Sequence, residues 1–132
     1  MRDIEKIREF FSADKYAMST TGIEIEAVGE NYAKCSIMLD DRHKNALGKV
    51  MGAVMYTLAD FVFAVSTNEP DGKVTVTVVS QITYLGVCKG NKLIGESKLL
   101  KDGKRNCFMQ VDIYDELGNP VAVVNTNGVH LG

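Results

Sequence analysis

The sequence predicts an α+β domain in which an antiparallel sheet wraps around one central helix. One long stretch in the first half is apolar on all sides, the second half consists of runs rich in β-branched residues, and turn residues separate those runs. The chain of 132 residues is about the length of one domain. We therefore expect a single domain over residues 1–132, of which residues 1–21 form an N-terminal helix and linker.

The chain begins with a predicted amphipathic helix over residues 3–11, for which Asp3 is available as the N-cap. Its apolar face comprises Ile4, Ile7 and Phe11. Residues 22–39 then predict two strands with a turn at residues 29–31, because polar and apolar side chains alternate in the second half of this stretch.

The stretch GAVMYTLADFVFAVS, which starts at Gly52, predicts the central helix, because it is too long and too uniformly apolar for one strand. It follows a polar loop at residues 40–49. Further strands are predicted over residues 74–85, 92–101, 104–114 and 120–130. The dipeptide Asp102-Gly103 predicts a tight type I′ hairpin turn.

Composition and charge exclude several classes of function. The net charge is −2 and the Lys and Arg residues are dispersed, so we expect no nucleic-acid partner. The sequence has neither a signal peptide nor a run of about 18 apolar residues, so we expect a cytoplasmic protein without membrane contact. Neither the cysteines nor the histidines have the spacing of a metal or redox site, so we predict no metal and no cofactor. These residues are Cys35, Cys88, Cys107, His43 and His130.

Asp60 is the most informative residue of the sequence. Between Met51 and Asn68 it is the only side chain that is charged at neutral pH, and its neighbours are apolar. An unpaired carboxylate in such surroundings is costly, so it persists where it is used or where a partner satisfies it. Asp60 is therefore either a catalytic carboxylate or a residue at a helix edge that is hydrogen-bonded to a neighbouring strand.

Gly52 lies where the central helix begins. The first N–H groups of a helix have no partner in an earlier turn, and together with the helix dipole they suit a developing oxyanion. A residue without a Cβ also lets a carbonyl group approach the backbone closely. The alternative is a glycine that is needed only to pack the helix start against a strand.

Three segments resemble the PaaI-like thioesterases, which have the hotdog fold. They are Asn45-Ala46-Leu47-Gly48, Met51-Gly52-Ala53 and Leu58-Ala59-Asp60, and the family pattern is roughly N-x-x-G-x-x-H-G-G followed by L-A-D. The likeness covers about residues 22–131. It implies a hydrolase that converts an acyl-CoA or aryl-acyl-CoA thioester to the free acid and CoA.

The resemblance also implies a homodimer, or a dimer of dimers, with active sites at the subunit interface. The N–H of Gly52 in one chain would polarise the thioester carbonyl, and Asp60 of the other chain would act as general base or nucleophile. Asn45 would hold the carboxylate or the substrate.

Thr77 corresponds to a family position at which a hydroxyl group positions the water. Thr75 or Ser80 would serve after a small register change. A threonine that is present for its strand propensity is an equally good explanation.

The sequence departs from the family pattern at two positions, where Met51 replaces the His and Ala53 replaces the second Gly. Methionine cannot donate or accept a proton usefully. The alternative function is therefore a non-catalytic acyl-CoA-binding protein. His43 is either a substitute for the missing His or a solvated loop residue. A hydratase or dehydratase is a further alternative, but it would normally pair a His with the carboxylate.

Substrate contacts are expected at Met51, Ala53, Tyr84, Lys104 and Arg105. The phosphates of CoA need cations, and several lie around the strand ends and the predicted hairpin, unless they are simply solvated. These cations are Lys89, Lys92, Lys101, Lys104 and Arg105. The acyl pocket, or alternatively the core, would contain Val54, Met55, Phe61 and Phe63.

Overall fold

The computed structural model describes residues 2–132, in which six strands wrap around one long helix. The helices are α1 (Ile4–Phe11) and α2 (Gly52–Thr67), and the strands are β1 (Ile23–Gly29), β2 (Tyr32–Met38), β3 (Val74–Tyr84), β4 (Lys92–Asp102), β5 (Asn106–Asp115) and β6 (Pro120–Leu131). The sheet has the order β1-β2-β4-β5-β6-β3, and every neighbouring pair is antiparallel. The predicted α+β class is confirmed.

The N-terminal segment closes one end of the helix–sheet core. The Asp3 carboxylate accepts the N–H of Glu5 at 2.9 Å and so caps α1 as predicted. The buried side chains of α1 are Ile7 and Phe11. Arg2 donates to the carbonyl groups of Val65 at 2.6 Å and Asn68 at 3.1 Å, which satisfies acceptors at the C-terminal end of α2.

α2 has a face buried against the sheet and an outer face. Leu58 and Val62 are fully buried. A Cβ at Gly95 of β4 would lie 3.0 Å from Leu58 Cγ and 3.1 Å from Val62 Cγ2, so the glycine permits this close approach. The exposed residues of α2 are Ala53, Tyr56 and Asp60, and they lie together on the outer face at helical spacing.

β3 is an edge strand with an apolar surface. It has 11 residues, and within residues 2–132 it pairs only with β6. Four valines on this strand are between 41% and 59% exposed: Val74, Val76, Val78 and Val79. A long apolar edge of this kind is a surface on which a second strand adds readily.

The connection between β4 and β5 differs from the predicted type I′ turn. Asp102 still pairs with Cys107 in the ladder, and the N–H of Gly103 donates to the Asn106 carbonyl at 2.8 Å. Three residues, 103–105, therefore join the strands. A type I′ turn needs positive φ at both central residues, and neither Asp102 nor Gly103 has it, so the prediction was wrong.

A buried carboxylate organises the segment 86–91 that follows β3. Asp115 is 0% exposed and accepts backbone N–H groups from Lys89 at 2.9 Å, Gly90 at 3.2 Å, Leu117 at 3.1 Å and Asn119 at 2.9 Å. Burial by itself would raise the pKa of Asp115, but the Asn119 side-chain amide, which donates to the carboxylate at 3.0 Å, and these backbone hydrogen bonds outweigh burial and hold the pKa well below the usual range.

Replacing Asp115 by Ala should lower the free energy of unfolding at pH 7 by about 2–3 kcal/mol, because several buried N–H groups lose their acceptor. The folded-state pKa lies below the unfolded-state value, so this stabilisation is present at neutral pH and is lost as the pH falls through the acid range. Urea unfolding at several pH values measures the effect, with Asp112→Ala, an exposed change on β5, as the control. Equal stabilities at pH 7 would show that the hydrogen bonds of Asp115 are not needed.

Candidate active site

His43 holds the loop that leads into α2. It is 1% exposed, its Nε2–H donates to the Thr21 carbonyl at 2.7 Å, and its Nδ1 accepts the N–H of Asp40 at 3.0 Å. Its own carbonyl accepts the N–H of Met51 at 2.9 Å. The expectation of a solvated loop histidine was wrong. Since both ring nitrogens are already hydrogen-bonded in the interior, His43 is also not placed to replace the family histidine.

Asn45 shapes the tight turn that precedes the helix. Its Oδ1 accepts the N–H groups of Leu47 at 2.9 Å and Lys49 at 3.1 Å, and its own N–H donates to the Lys49 carbonyl at 2.8 Å. The side chain is exposed, and its Nδ2 has no hydrogen-bond partner among residues 2–132. The carbonyl end of the amide thus builds the loop, while the amino end faces outward.

Gly52 combines an open N–H with a close packing contact. It begins α2 directly after Met51, whose side chain is 50% exposed and does not cap the helix. Its N–H makes no backbone hydrogen bond within the described chain, as expected at a helix start. A Cβ at this position would lie 2.6 Å from the Tyr84 hydroxyl oxygen, so both explanations of Gly52 fit the structure.

A largely apolar cavity of about 360 Å³ opens beside this helix start. Its lining residues are Lys49, Val50, Gly52, Met55, Tyr84, Gly86, Val87 and Cys88. The cavity has a suitable character for an acyl or pantetheine arm, because such pockets are mainly apolar with a few polar groups. Cys88 was not predicted to contribute to it, since nothing in the sequence indicated where the segment after β3 would fold.

Asp60 lies near the middle of α2 on its outer face. The Asp60 side chain is exposed to solvent in the single chain, and its carboxylate has no hydrogen-bond partner among residues 2–132. Enough protein surrounds it to desolvate it in part, and this desolvation, followed by the negative charge of Asp14, raises its pKa. The alternative interpretation, a carboxylate hydrogen-bonded to a neighbouring strand, is not what the structure shows.

The backbone positions of Gly52 and Asp60 in one chain lie too far apart for Asp60 to attack directly a carbonyl group that is bound at the Gly52 N–H. They are eight residues apart on one helix, and a rise of 1.5 Å per residue separates them by about 12 Å. A reacting carbonyl must lie within about 3 Å of both its hydrogen-bond donor and the attacking group. One chain therefore carries the hydrogen-bond donor, Gly52, and the carboxylate, Asp60, at separate places.

Thr77 is the most accessible of the three candidate hydroxyl groups. It is exposed on β3 opposite Gly128 of β6, and no side-chain hydrogen bond engages it within the described chain. Thr75 is 5% exposed and bonded to His130 Nδ1 at 2.7 Å, while Ser80 is bonded to the Thr126 hydroxyl at 3.0 Å. The structure thus distinguishes candidates that the sequence could not.

The predicted cations do not form one cluster. Lys104 and Arg105 lie in the β4–β5 turn, whereas Lys89 and Lys92 lie at the opposite end of β4, about 30 Å away along this 11-residue strand. Lys92 is also paired with Glu26 at 2.9 Å. Lys101 lies near the C-terminal end of β4, beside the turn that contains Lys104. The cations thus lie around the strand ends and the hairpin, as predicted, but they form two groups because both ends of β4 carry lysine.

The four residues considered for the acyl pocket divide between core and cavity. Phe61 and Phe63 are 2% and 1% exposed, and Phe61 makes an edge contact with Phe11 at a ring-centroid distance of 5.5 Å. Only Met55 lines the cavity beside Gly52, and Val54 is half-buried. Core packing therefore explains the two aromatic residues.

Comparison with known proteins decides the family to which this arrangement belongs. The profile of the Thioesterase superfamily matches residues 47–122, which include the helix start, Asp60 and the cavity segment. The chain belongs to the Thioesterase superfamily. The prediction of a thioester hydrolase is thereby confirmed.

Relatives of this thioesterase agree with the resemblance to the PaaI-like group. It is 27% identical over 100 residues to the mouse acyl-coenzyme A thioesterase 13, covering 74% of this chain and 71% of that one. The PaaI protein from the phenylacetic acid degradation operon of E. coli has a TM-score of 0.84 at 20% identity, with 97% and 95% of the two chains covered. A hypothetical thioesterase of Streptococcus pneumoniae, determined with coenzyme A, has a TM-score of 0.82 at 22% identity over 92% and 97%. The predicted hotdog fold is confirmed.

Two features are absent from residues 2–132. None of the helices within residues 2–132 is long and apolar enough to cross a membrane. In the same part of the chain, no three His, Cys, Asp or Glu side chains come together as a potential metal site.

Proposed function

We propose that this thioesterase hydrolyses acyl-CoA thioesters as a homodimer, with each active site formed by Gly52 of one chain and Asp60 of the other. The observation that carries the proposal is the rise of about 12 Å along α2 between the backbone of Gly52, whose N–H is open, and that of Asp60, whose carboxylate has a raised pKa and no hydrogen-bond partner among residues 2–132. Both groups suit thioester hydrolysis, and a second chain is needed to bring them together.

The edge strand supports the way in which the two chains would meet. Tyr84, at the end of β3, contacts Gly52 at the start of α2, while Thr75 near the start of β3 bonds to Asn68 just after α2, so the helix and the strand run in opposite directions. Antiparallel pairing of two β3 strands about a two-fold axis would set the first half of one strand beside the last half of the other. Thr77 of one chain would then approach the Gly52 end of the second.

The proposed reaction uses the Gly52 N–H of one chain and the Asp60 carboxylate of the other. The thioester carbonyl oxygen accepts the N–H of Gly52, which stabilises negative charge as the carbonyl carbon is attacked. Asp60 either removes a proton from the attacking water or attacks directly, forming an anhydride that water then cleaves. The thiol leaves, and the acid is released. A general base contributes about 10²–10⁴-fold and an oxyanion donor about 3–4 kcal/mol.

Asn45 and Thr77 have supporting roles in this proposal. The outward Nδ2 of Asn45 would donate to the carboxylate or the substrate, and the Thr77 hydroxyl would hold the water; the exposure of both side chains supports these roles. Met51, Ala53 and Tyr84 surround the helix start and would contact the substrate. The acyl group is expected to be medium-chain or aromatic. A hydratase has less support, because His43 and His130 are both hydrogen-bonded away from Asp60.

The second candidate function is acyl-CoA binding without turnover. Met51 favours it, because this half-exposed residue stands where the family has a histidine and supplies no proton donor or acceptor at the helix start.

Hydrolysis of a panel of short, long and aromatic acyl-CoA thioesters separates the two functions, and we expect measurable turnover from the natural protein. Met51→His should raise kcat by about tenfold or less if the histidine mainly orients the substrate. Thioester absorbance is the appropriate signal, because the three cysteines would react with thiol reagents. Turnover that appears only in Met51→His would instead identify the natural chain as a binding protein.

A further inference from the structure

The hydroxyl group of Tyr84 lies beside the open N–H of Gly52. A Cβ on Gly52 would stand 2.6 Å from the hydroxyl oxygen and 2.9 Å from the Cζ atom that carries it. The phenol group therefore occupies the space that the missing Cβ leaves free. Both residues line the largely apolar cavity of about 360 Å³, so two polar groups lie next to each other in its wall.

The two groups are close enough to share one acceptor. An ideal Cβ lies about 2.5 Å from the nitrogen of its own residue, so the Tyr84 hydroxyl oxygen is within about 5 Å of the Gly52 nitrogen. One carbonyl oxygen can accept two hydrogen bonds of about 2.9 Å from donors that are up to about 6 Å apart. A carbonyl oxygen bound at the Gly52 N–H is therefore also within reach of the Tyr84 hydroxyl.

The Tyr84 hydroxyl is available as a donor. It makes no hydrogen bond to any of residues 2–132, whereas the hydroxyl groups of Tyr32 and Tyr114 are both bonded to Glu96. A phenol hydroxyl donates one hydrogen bond, but a methionine side chain donates none. Tyr84 therefore supplies, at the start of α2, the side-chain donor that Met51 lacks.

The pairing of β3 with β6 fixes the position of the tyrosine. Tyr84 pairs with Ala122, which belongs to the core, so the Tyr84 side chain lies on the face of the sheet that α2 covers. Directly after it, the N–H groups of Leu85 and Gly86 donate to the Val121 carbonyl at 2.8 Å and 3.2 Å. A donor that is held in place needs little reorganisation when negative charge develops on its acceptor.

We propose that the Tyr84 hydroxyl donates a second hydrogen bond to the thioester carbonyl oxygen that is bound at the Gly52 N–H. The inference rests on the proposed thioesterase function and adds a catalytic residue to it. The hydroxyl keeps its proton throughout, and its hydrogen bond becomes stronger when attack on the carbonyl carbon makes the oxygen negative. The two explanations of Gly52 then become one, because a Cβ at this position would displace the second donor.

Tyr84→Phe removes the hydroxyl and keeps the ring. For an acyl-CoA thioester, kcat should fall about 10–100-fold while KM stays within about threefold, because the bond is strongest in the transition state. Tyr114→Phe is the matched control and should leave both constants unchanged. Its hydroxyl is bonded to Glu96 at 2.9 Å, and by strand alternation it lies on the face of the sheet away from α2. Unchanged kcat in Tyr84→Phe, with or without a higher KM, would overturn the proposal.

The infrared carbonyl band of a bound thioester tests the hydrogen bond itself. Asp60→Asn should hold the thioester with little turnover, and adding Tyr84→Phe should move the band to higher wavenumber, because the carbonyl group loses one of its two donors. A carbon-13 label in the carbonyl group identifies the band. An unmoved band would overturn the proposal even if kcat had fallen. If the natural protein hydrolyses none of the thioesters, the natural chain is compared with Tyr84→Phe in the same way. A shifted band would then support the Tyr84 hydrogen bond although the proposed hydrolysis had failed.

Discussion

Asp60→Asn should lower kcat for an acyl-CoA thioester at least about a hundredfold, because the amide can neither take a proton from water nor attack the carbonyl carbon. KM should change much less, since the helix start and the cavity beside it are untouched. The raised pKa of Asp60 adds a pH signature: the ionised form is the active one, so kcat/KM of the natural protein should fall as the pH drops through a pKa above the ordinary aspartate range.

The same substitution should not reduce stability at neutral pH. A carboxyl group whose pKa is raised in the folded chain favours folding only in its protonated form, and that contribution is lost as the pH rises through the folded-state pKa. Thermal unfolding of Asp60→Asn at pH 7 should therefore occur at the same temperature as that of the natural protein, or higher. Asp71→Asn, in the exposed turn after α2, is the control for activity. If Asp60→Asn hydrolysed the thioester as fast as the natural protein, Asp60 would not be the general base or the nucleophile.

Val79→Lys should convert the protein to a monomer and abolish most of its hydrolysis. Val79 is 59% exposed near the middle of the edge strand β3, where a two-fold axis would bring each lysine close to its own copy. Like charges across a strand pair are unfavourable, and lysine on an edge strand opposes further pairing. Sedimentation or light scattering gives the mass, and the hydrolysis assay gives the activity.

Leu100→Lys is the matched control for this experiment. Leu100 is similarly exposed, at 53%, but it lies on β4, which β5 and β6 separate from the β3 edge. It should leave both mass and activity unchanged. A monomeric Val79→Lys protein with full activity would contradict an active site shared between chains, even if the dimer itself were real.

The hotdog architecture could be predicted because its signals are local. The apolar run from Gly52 specifies a buried helix through length and composition, and β-branched runs specify the strands that cover it. The β4–β5 turn could not be predicted in the same way. A bulge between Leu99 and Lys101 shifts the register so that Asp102 stays in the ladder, and no local rule for the Asp-Gly dipeptide contains that information.

The residues of the candidate site could be predicted only where they lie on one continuous segment of the sequence. Asp60 and Gly52 lie on the helix and its start, so their chemistry and their spacing could both be inferred from sequence. The burial of His43 depends on a contact with Thr21, which is distant in sequence.

Complementation between two inactive variants tests the shared active site most directly. Gly52→Val blocks the helix start, because even a single Cβ there would lie 2.6 Å from the Tyr84 hydroxyl oxygen, and Asp60→Asn removes the carboxylate. A dimer of one chain of each kind contains one site with both groups intact and one with neither. Unfolding and refolding an equal mixture should therefore restore about a quarter of the natural activity, since half of the dimers are mixed and each has one of two sites. If the mixture stayed as inactive as its components although mixed dimers had formed, Gly52 and Asp60 would not be acting across the interface.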